Sequence, residues 1–247
     1  TELSGGMQKR AALARAMALD TEAQALLLYL EWANIYTRRD GAPKRTLDYL
    51  DSLPPNLRKR AHRGFDYVLL LWAVGQEEQA LKELSGLPEV LLEVDHFFWG
   101  KSELRGDILW SIGRGDEARS AYSEALRQVE KMMKGKPDQT SYLGARGHVL
   151  AGLNRKEEAI RDARRALELC PPGQIPYLRQ ILTMATIYAM VGDYGLAIDQ
   201  LDILLRAPWT QNINTVRCNP LFRPLLSHPR FKALEKKYPP DKLYIGE

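Results

Sequence analysis

The sequence predicts an all-α fold built from antiparallel helix pairs that stack on one another. Residues 142–171 contain two short helical patterns separated by a polar turn. The small residues Gly147, Ala159 and Ala166 would allow the two helices of this pair to cross closely. A single pair of this size cannot bury its own apolar face, so neighbouring pairs of the same kind are expected.

The same spacing recurs before and after this pair. The key alanines follow one another in steps of 38, 41 and 38 residues, at Ala80, Ala118, Ala159 and Ala197. A turn residue separates the two helices of each pair, at Gly75, Gly113, Asn154 and Gly192. Regular recurrence of one helix pair is typical of a helical-repeat array.

The pattern formed by Gly106, Leu109, Gly113, Ala118 and Tyr122 resembles the tetratricopeptide repeat, whose 34-residue unit is stretched here by loop insertions. The resemblance covers roughly residues 22–207. It implies a right-handed α-solenoid of about four to five repeats, with a capping helix at each end. It also implies a scaffold that binds a protein partner.

The composition is that of an ordinary folded protein. The chain has 247 residues, of which 45% are hydrophobic and 27% charged, with a net charge of +4. This small positive charge does not predict nucleic-acid binding. The longest apolar run, residues 67–75, is far shorter than the ~20 residues that span a bilayer. Cys170 and Cys218 lack a CxxC partner, so no metal or cofactor is predicted, and reduced thiols favour a cytoplasmic setting.

Residues 1–20 are predicted to form an N-terminal capping helix or a remnant of another domain. Residues 3–20 closely resemble the signature segment of ABC-transporter ATPases, which implies that Ser4, Gly5 and Gly6 contact a nucleotide phosphate. No GxxxxGK[ST] loop occurs in the chain, and Leu30 stands where that family has an aspartate. The capping helix is therefore favoured, and a fragment of an ABC-type ATPase is kept as the alternative function.

The predicted repeat array spans residues 21–207. Residues 21–53 predict a degenerate first helix pair, with a turn around Gly41 between its two helices and its end at Pro54. The basic run at residues 58–63 could contact phosphate or an acidic peptide, but a solvated helix start is favoured. The aromatic stretch at residues 88–99 predicts packing between repeats rather than a ligand cage.

Residues 208–247 are predicted to be a C-terminal extension with a short capping helix. Pro229 suits the first turn of this helix, and Phe231 and Leu234 would cover the end of the array. The extension resembles the tail that follows repeats of this type in bacterial signalling proteins. The resemblance implies that the chain is the regulatory part of a larger protein of that kind.

No catalytic constellation is predicted. The four histidines show no metal-ligand spacing, and no GxSxG motif occurs. The expected function is capture of a partner peptide or helix in a concave groove, lined by the first helix of each pair. The register of the turn residues places nine residues in this groove, namely Phe65, Leu69, Trp72, Glu103, Asp107, Trp110, His148, Arg179 and Thr186. Burial of Trp72 and Trp110 between helices is an equally weighted alternative.

Overall fold

The computed structural model describes residues 43–52, 65–94, 97–207 and 212–239. Helix α1 (Pro43–Ser52) is followed in this part of the chain by four helix pairs. The pairs are α2 (Phe65–Ala73) with α3 (Glu77–Ser85), α4 (Lys101–Ser111) with α5 (Gly115–Met132), α6 (Thr140–Gly152) with α7 (Lys156–Glu168), and α8 (Ile175–Met190) with α9 (Tyr194–Arg206). Each helix of the pairs packs on the next along the chain, which confirms the predicted all-α solenoid.

The turn inside each pair is a tight reversal that needs a left-handed backbone residue. Gly75, Gly113 and Gly192 have φ angles of +82°, +78° and +82°, and Asn154 has +60°. The residue that follows each turn residue donates a backbone hydrogen bond to a carbonyl of the preceding helix. For example, Arg114 N lies 3.0 Å from the carbonyl oxygen of Leu109. This geometry satisfies carbonyls that the helix end would otherwise leave unpaired. The predicted register of the repeats therefore agrees with the backbone.

We expect Gly113→Ala to lower the free energy of unfolding by roughly 1–2 kcal/mol, because a Cβ disfavours the left-handed conformation. No atom lies within 4 Å of the added Cβ, so the effect would come from the backbone alone. Gly115→Ala is the matched control, since its Cβ would meet only Arg119 Nη1 at 3.7 Å. We expect it to change stability by less than about 0.5 kcal/mol. Equal effects in urea unfolding would contradict this explanation.

Small residues lie where the paired helices cross. Ala80, Ala159 and Ala197 have no exposed surface, and Ala118 is 2% exposed. A Cβ added to Gly147 would lie 2.9 Å from the backbone oxygen of Ala159. Helices α6 and α7 therefore approach too closely for a larger side chain at this crossing, as the sequence predicts.

A short antiparallel hairpin, which the repeat pattern did not predict, connects α3 to α4. It consists of β1 (Val90–Val94) and β2 (Phe97–Gly100). Alternate side chains of a strand point to opposite faces. Accordingly, Phe98 is buried against Tyr142, whereas Phe97 and Trp99 are only half-buried. Of these three aromatic side chains, Phe98 packs in the core, whereas Phe97 and Trp99 lie on the opposite face of the hairpin.

The C-terminal part of the chain returns to the repeat array. It contains α10 (Ile213–Cys218), a 3₁₀ helix (Pro220–Leu225) and α11 (Pro229–Lys237). Helix α11 packs on α9, and Lys237 Nζ lies 2.7 Å from Asp202 Oδ1. Residues 219–225, called here the C-terminal segment, cross the array, and Leu221 is buried in one cluster with Leu71 and Leu104.

The predictions for residues 1–42 and 58–63, among them the nucleotide contacts of Ser4, Gly5 and Gly6, lie outside the described residues. Among the helices that the structure describes, none is long and apolar enough to cross a lipid bilayer.

Candidate functional site

A cavity of about 350 Å³ lies on the side of the array formed by the first helix of each pair. This central cavity is walled by residues of α2, α4, α6 and α8. Residues of α1, the hairpin, α10 and the C-terminal segment also line it. Seven of the nine predicted groove residues line it, namely Leu69, Trp72, Glu103, Asp107, His148, Arg179 and Thr186. Phe65 and Trp110 lie outside the lining and are half-buried.

The predicted groove is therefore partly covered rather than open along its length. Five of the predicted residues are buried, with exposed fractions between 0 and 8%: Trp72, Glu103, Asp107, His148 and Thr186. The physical reason is that the C-terminal segment buries Pro220, Leu221 and Phe222 against this side of the array. Trp72 is both buried, as its alternative interpretation proposed, and part of the cavity wall.

A hydrogen-bonded polar cluster forms one side of the cavity. Asp107 is completely buried, and its Oδ1 accepts a hydrogen bond of 2.7 Å from the hydroxyl of Tyr122. Nε2 of His148 lies 2.7 Å from the same oxygen. These contacts join α4, α5 and α6 through one carboxylate. Within the described ranges, the other oxygen of Asp107, Oδ2, has no hydrogen-bond partner.

The position of Tyr122 depends on two glycines that flank its ring. A Cβ added to Gly106 would lie 2.6 Å from the ring, and one added to Gly152 would lie 2.3 Å from it. Both distances are far shorter than a normal carbon–carbon contact. The ring therefore passes between α4 and α6 only because both helices lack a side chain there, and this brings the hydroxyl to Asp107.

Burial and mutual charge shift the pKa values of the cluster. Burial raises the pKa of Glu103 to about 8. The charge of His148 opposes this rise, the charge of Asp107 adds to it, and a backbone hydrogen bond at Gly100 lowers the pKa slightly. Burial alone would lower the pKa of His148, but the charge and hydrogen bond of Asp107, with the charge of Glu103, raise it to about 9. Burial, followed by Asp107, also raises the pKa of Tyr122. At neutral pH, Glu103 is therefore protonated and His148 is charged.

Aromatic side chains form much of the remaining wall. Phe97 and Trp99 come from β2, Trp72 from α2, and Phe222 from the C-terminal segment. The guanidinium carbon of Arg179 lies 4.5 Å from the centroid of the Phe97 ring, a distance typical of a cation–π contact. Burial lowers the pKa of Arg179. The cavity thus combines charged groups with an apolar surface to which several aromatic residues contribute.

Three of the four aromatic wall residues just named were not predicted from sequence. Phe97 and Trp99 alternate with a core residue along β2, and this spacing was the signal that could have placed them on one surface. Phe222 was given no role in the site, because nothing local indicates that the chain returns to the repeat array at this position. The polar cluster was also not foreseen as a unit, since Tyr122 was assigned to the repeat pattern alone.

The polar cluster joins neighbouring helices through its hydrogen bonds. In residues 43–52, 65–94, 97–207 and 212–239, no group of three or more His, Cys, Asp or Glu side chains could hold a metal ion. Oδ1 of Asp107 pairs with Nε2 of His148, which ties α4 to α6.

Comparison with known families finds two matches within the repeat array. Residues 68–142 match a family described as a tetratricopeptide repeat-like domain, and residues 140–172 match the tetratricopeptide repeat. Together the matches extend from α2 into the loop after α7, and they confirm the resemblance inferred from the sequence. A comparison with curated proteins finds no significant match. Repeats of this type serve in general as protein–protein interaction scaffolds and are typically non-catalytic.

Proposed function

We propose that this chain, which carries tetratricopeptide repeats, is a non-enzymatic scaffold that holds a segment of a protein partner at the central cavity. The observation that carries the proposal is the cavity itself, because its wall draws on the first helix of four successive pairs. A preformed surface of this kind binds an extended segment or a helix at a low cost in ordering entropy.

The surface beside the cavity suits such a partner. Phe65 packs edge-on against Trp99, with ring centroids 6.2 Å apart, and Leu69 lines the cavity from the same helix. All three side chains are half-buried, so each keeps apolar surface for a partner to cover. Partly exposed aromatic and aliphatic side chains around a pocket are typical anchors of protein interfaces.

The C-terminal segment supports the proposal in a second way. It is a short apolar stretch, and Pro220, Leu221 and Phe222 are all buried where they meet the repeat array. This side of the array therefore has the shape and polarity to accept a short segment that carries apolar side chains. In the proposed complex the partner segment lies next to the C-terminal segment, at the open part of the cavity.

Substitutions beside the cavity test the proposal. Affinity capture from an extract of the source organism, followed by mass spectrometry, would identify partners for titration with the purified chain. We expect Phe65→Ala and Leu69→Ala each to weaken partner binding by about tenfold or more, because an interface anchor contributes roughly 1–2 kcal/mol. Far-UV circular dichroism should remain unchanged, since neither side chain is fully buried.

The matched control is Leu196→Ala, which removes an apolar side chain that is 46% exposed on α9, a second helix of a pair. We expect this variant to bind the partner like the unaltered chain. Equal weakening by all three variants would refute the proposal, and so would a loss of helicity in the Phe65 and Leu69 variants that accounts for the lost binding.

We further propose that the chain is the regulatory part of a larger bacterial signalling protein in the cytoplasm. The resemblance of the stretch from Asn219 to Leu234 to the tails of such proteins supports this placement. Neither Cys170 nor Cys218 forms a disulfide with another cysteine in the described ranges, which suits a reducing compartment. The sequence of the complete gene, together with the location of a tagged full-length protein, would test both statements.

A further inference from the structure

We infer that the central cavity is a binding site for an organic cation, an ammonium or guanidinium group carried on an apolar body. The cation could belong to a free small molecule or to a Lys or Arg side chain of the partner, and only the second source rests on the proposed function. Three independent features of the cavity carry the inference: an unpartnered carboxylate oxygen, a surplus of carboxyl groups, and an aromatic wall.

The unpartnered oxygen is Oδ2 of Asp107. The residue lines the cavity and has no exposed surface, and Oδ2 accepts no hydrogen bond within the part of the chain that the structure describes. Its Oδ1, by contrast, contacts both Tyr122 and His148. A buried carboxylate oxygen without a donor is costly and rare in native proteins. An N–H group of a ligand in the cavity would supply the missing donor.

Carboxyl groups outnumber basic groups in the cavity lining. The three carboxyls are Asp66, Glu103 and Asp107, and the two basic groups are His148 and Arg179. His148 is already engaged by Oδ1 of Asp107, and the guanidinium of Arg179 lies over the Phe97 ring. Because Glu103 is protonated at neutral pH, a bound cation would be balanced by ionisation of this third carboxyl.

The raised pKa values of Asp66 and Glu103 also favour a positively charged ligand. Burial raises the pKa of Asp66, and burial together with the charge of Asp107 raises the pKa of Glu103. Both shifts mean that the cavity disfavours further negative charge unless a positive charge accompanies it. A bound cation would provide that charge.

The aromatic wall suits the rest of such a ligand. Trp72, Phe97, Trp99 and Phe222 present ring surface to the cavity, and aromatic faces attract organic cations as well as apolar groups. The volume of about 350 Å³ lies within the range of small-molecule sites. The expected ligand therefore has one cationic donor group directed at Asp107 and an apolar chain or ring that packs on the aromatic residues.

Isothermal titration calorimetry of the full chain with three probes of similar shape tests the inference. The probes are phenethylamine, phenethyl alcohol and 3-phenylpropanoate, which present an ammonium, a neutral hydroxyl and a carboxylate. We expect the amine to bind at least about tenfold more tightly than either of the other two, because only it complements a buried carboxylate by charge. Equal binding of the amine and the alcohol would overturn the inference, and tighter binding of the carboxylate would do so as well.

Variants show whether the amine binds in the cavity. Asp107→Asn preserves the shape of the side chain without its charge, and we expect it to weaken amine binding by about tenfold or more. Glu103→Gln serves as a second variant if the first does not fold, and it should weaken amine binding severalfold. Asp162→Asn is the control, since Asp162 is a buried carboxyl that pairs with Arg146 away from the central cavity. A loss of binding only in the control would contradict the inference.

Two short peptides that differ in one central residue, Lys or norleucine, distinguish the sources of the cation. Tighter binding of the Lys peptide would assign the site to a partner side chain. Binding of phenethylamine with no preference between the peptides would assign it to a free small molecule. Failure of phenethylamine and of the Lys peptide to bind would overturn the inference, whereas the scaffold proposal would stand or fall separately on partner capture by the Phe65 and Leu69 variants.

Discussion

Replacement of Asp107 by alanine is expected to lower the free energy of unfolding by about 3–5 kcal/mol, the range found when one partner of a buried charged pair is removed. The carboxylate is fully buried and is the shared hydrogen-bond partner of Tyr122 and His148. Without it, the hydroxyl of Tyr122 would remain buried without its acceptor, and His148 would either lose its proton or keep a buried charge without its main partner. Urea unfolding followed by far-UV circular dichroism measures the change.

Asp162→Ala provides the matched control for this large effect. Asp162 is also buried, at 4% exposure, and it pairs with Arg146 at 2.7 Å. However, the Arg146 side chain is 28% exposed, so water can solvate the guanidinium once its partner is removed. We therefore expect the control to lose only about 1–2 kcal/mol. A loss in Asp107→Ala no greater than that in Asp162→Ala would show that the polar cluster does not hold α4, α5 and α6 together.

Much of the fold could be predicted because the repeat depends on residues that lie close together in the sequence. The left-handed turns at Gly75, Gly113 and Gly192 need a residue that tolerates positive φ, and the buried Ala118 and Ala197 mark close helix contacts. Each of these constraints acts within a few residues of the chain. The register of the helix pairs could therefore be predicted from the sequence.

The features that close the cavity could not be predicted in the same way, because they depend on contacts between distant parts of the chain. Leu221 packs with Leu71 and Leu104, more than a hundred residues earlier in the chain. Its own neighbourhood predicts only a short apolar turn, which would suit an exposed end of the array equally well. The sequence could thus identify the first-helix residues of the site without identifying what covers them.

For the polar cluster, too, the helix face of each residue could be predicted, whereas the contacts between residues could not. Glu103, Asp107 and His148 were assigned to one surface because the repeat register places them on first helices. Their direct contacts depend on how far Tyr122 penetrates between two glycines, and no spacing rule specifies that depth. A register therefore predicts which face a residue occupies, whereas packing decides whether it is buried.

Stability is expected to fall as the pH rises from about 5 to about 9, because the folded state holds two protons that the unfolded state releases earlier. Glu103 has a pKa of about 8 in place of 4.5, so its burial begins to destabilise the folded state above pH 4.5 and does so fully above pH 8. His148 has a pKa of about 9 in place of 6.5, so its favourable contribution is complete below pH 6.5 and is lost through pH 9. Both effects have the same sign.

We expect a total loss of roughly 2–4 kcal/mol across this range. Each unit of pKa difference corresponds to about 1.4 kcal/mol, but the two groups share Asp107 and their contributions do not add fully. Urea unfolding at pH 5, 7 and 9 measures the loss. Asp202 does not interfere, because Lys237, Tyr238 and Arg206 outweigh its burial and lower its pKa to about 2. Its contribution changes only under more acidic conditions.

Glu103→Gln separates the two contributions, because glutamine keeps the size and hydrogen-bonding capacity of the protonated acid but cannot ionise. We expect this variant to retain its stability between pH 5 and 7 and to be more stable than the unaltered chain at pH 9, where Glu103 would otherwise carry a buried charge. The remaining decline would then follow His148 alone, and His148→Gln should remove it. A stability that rises with pH, or a Glu103→Gln variant that declines as steeply as the unaltered chain, would mean that these groups are hydrated rather than buried.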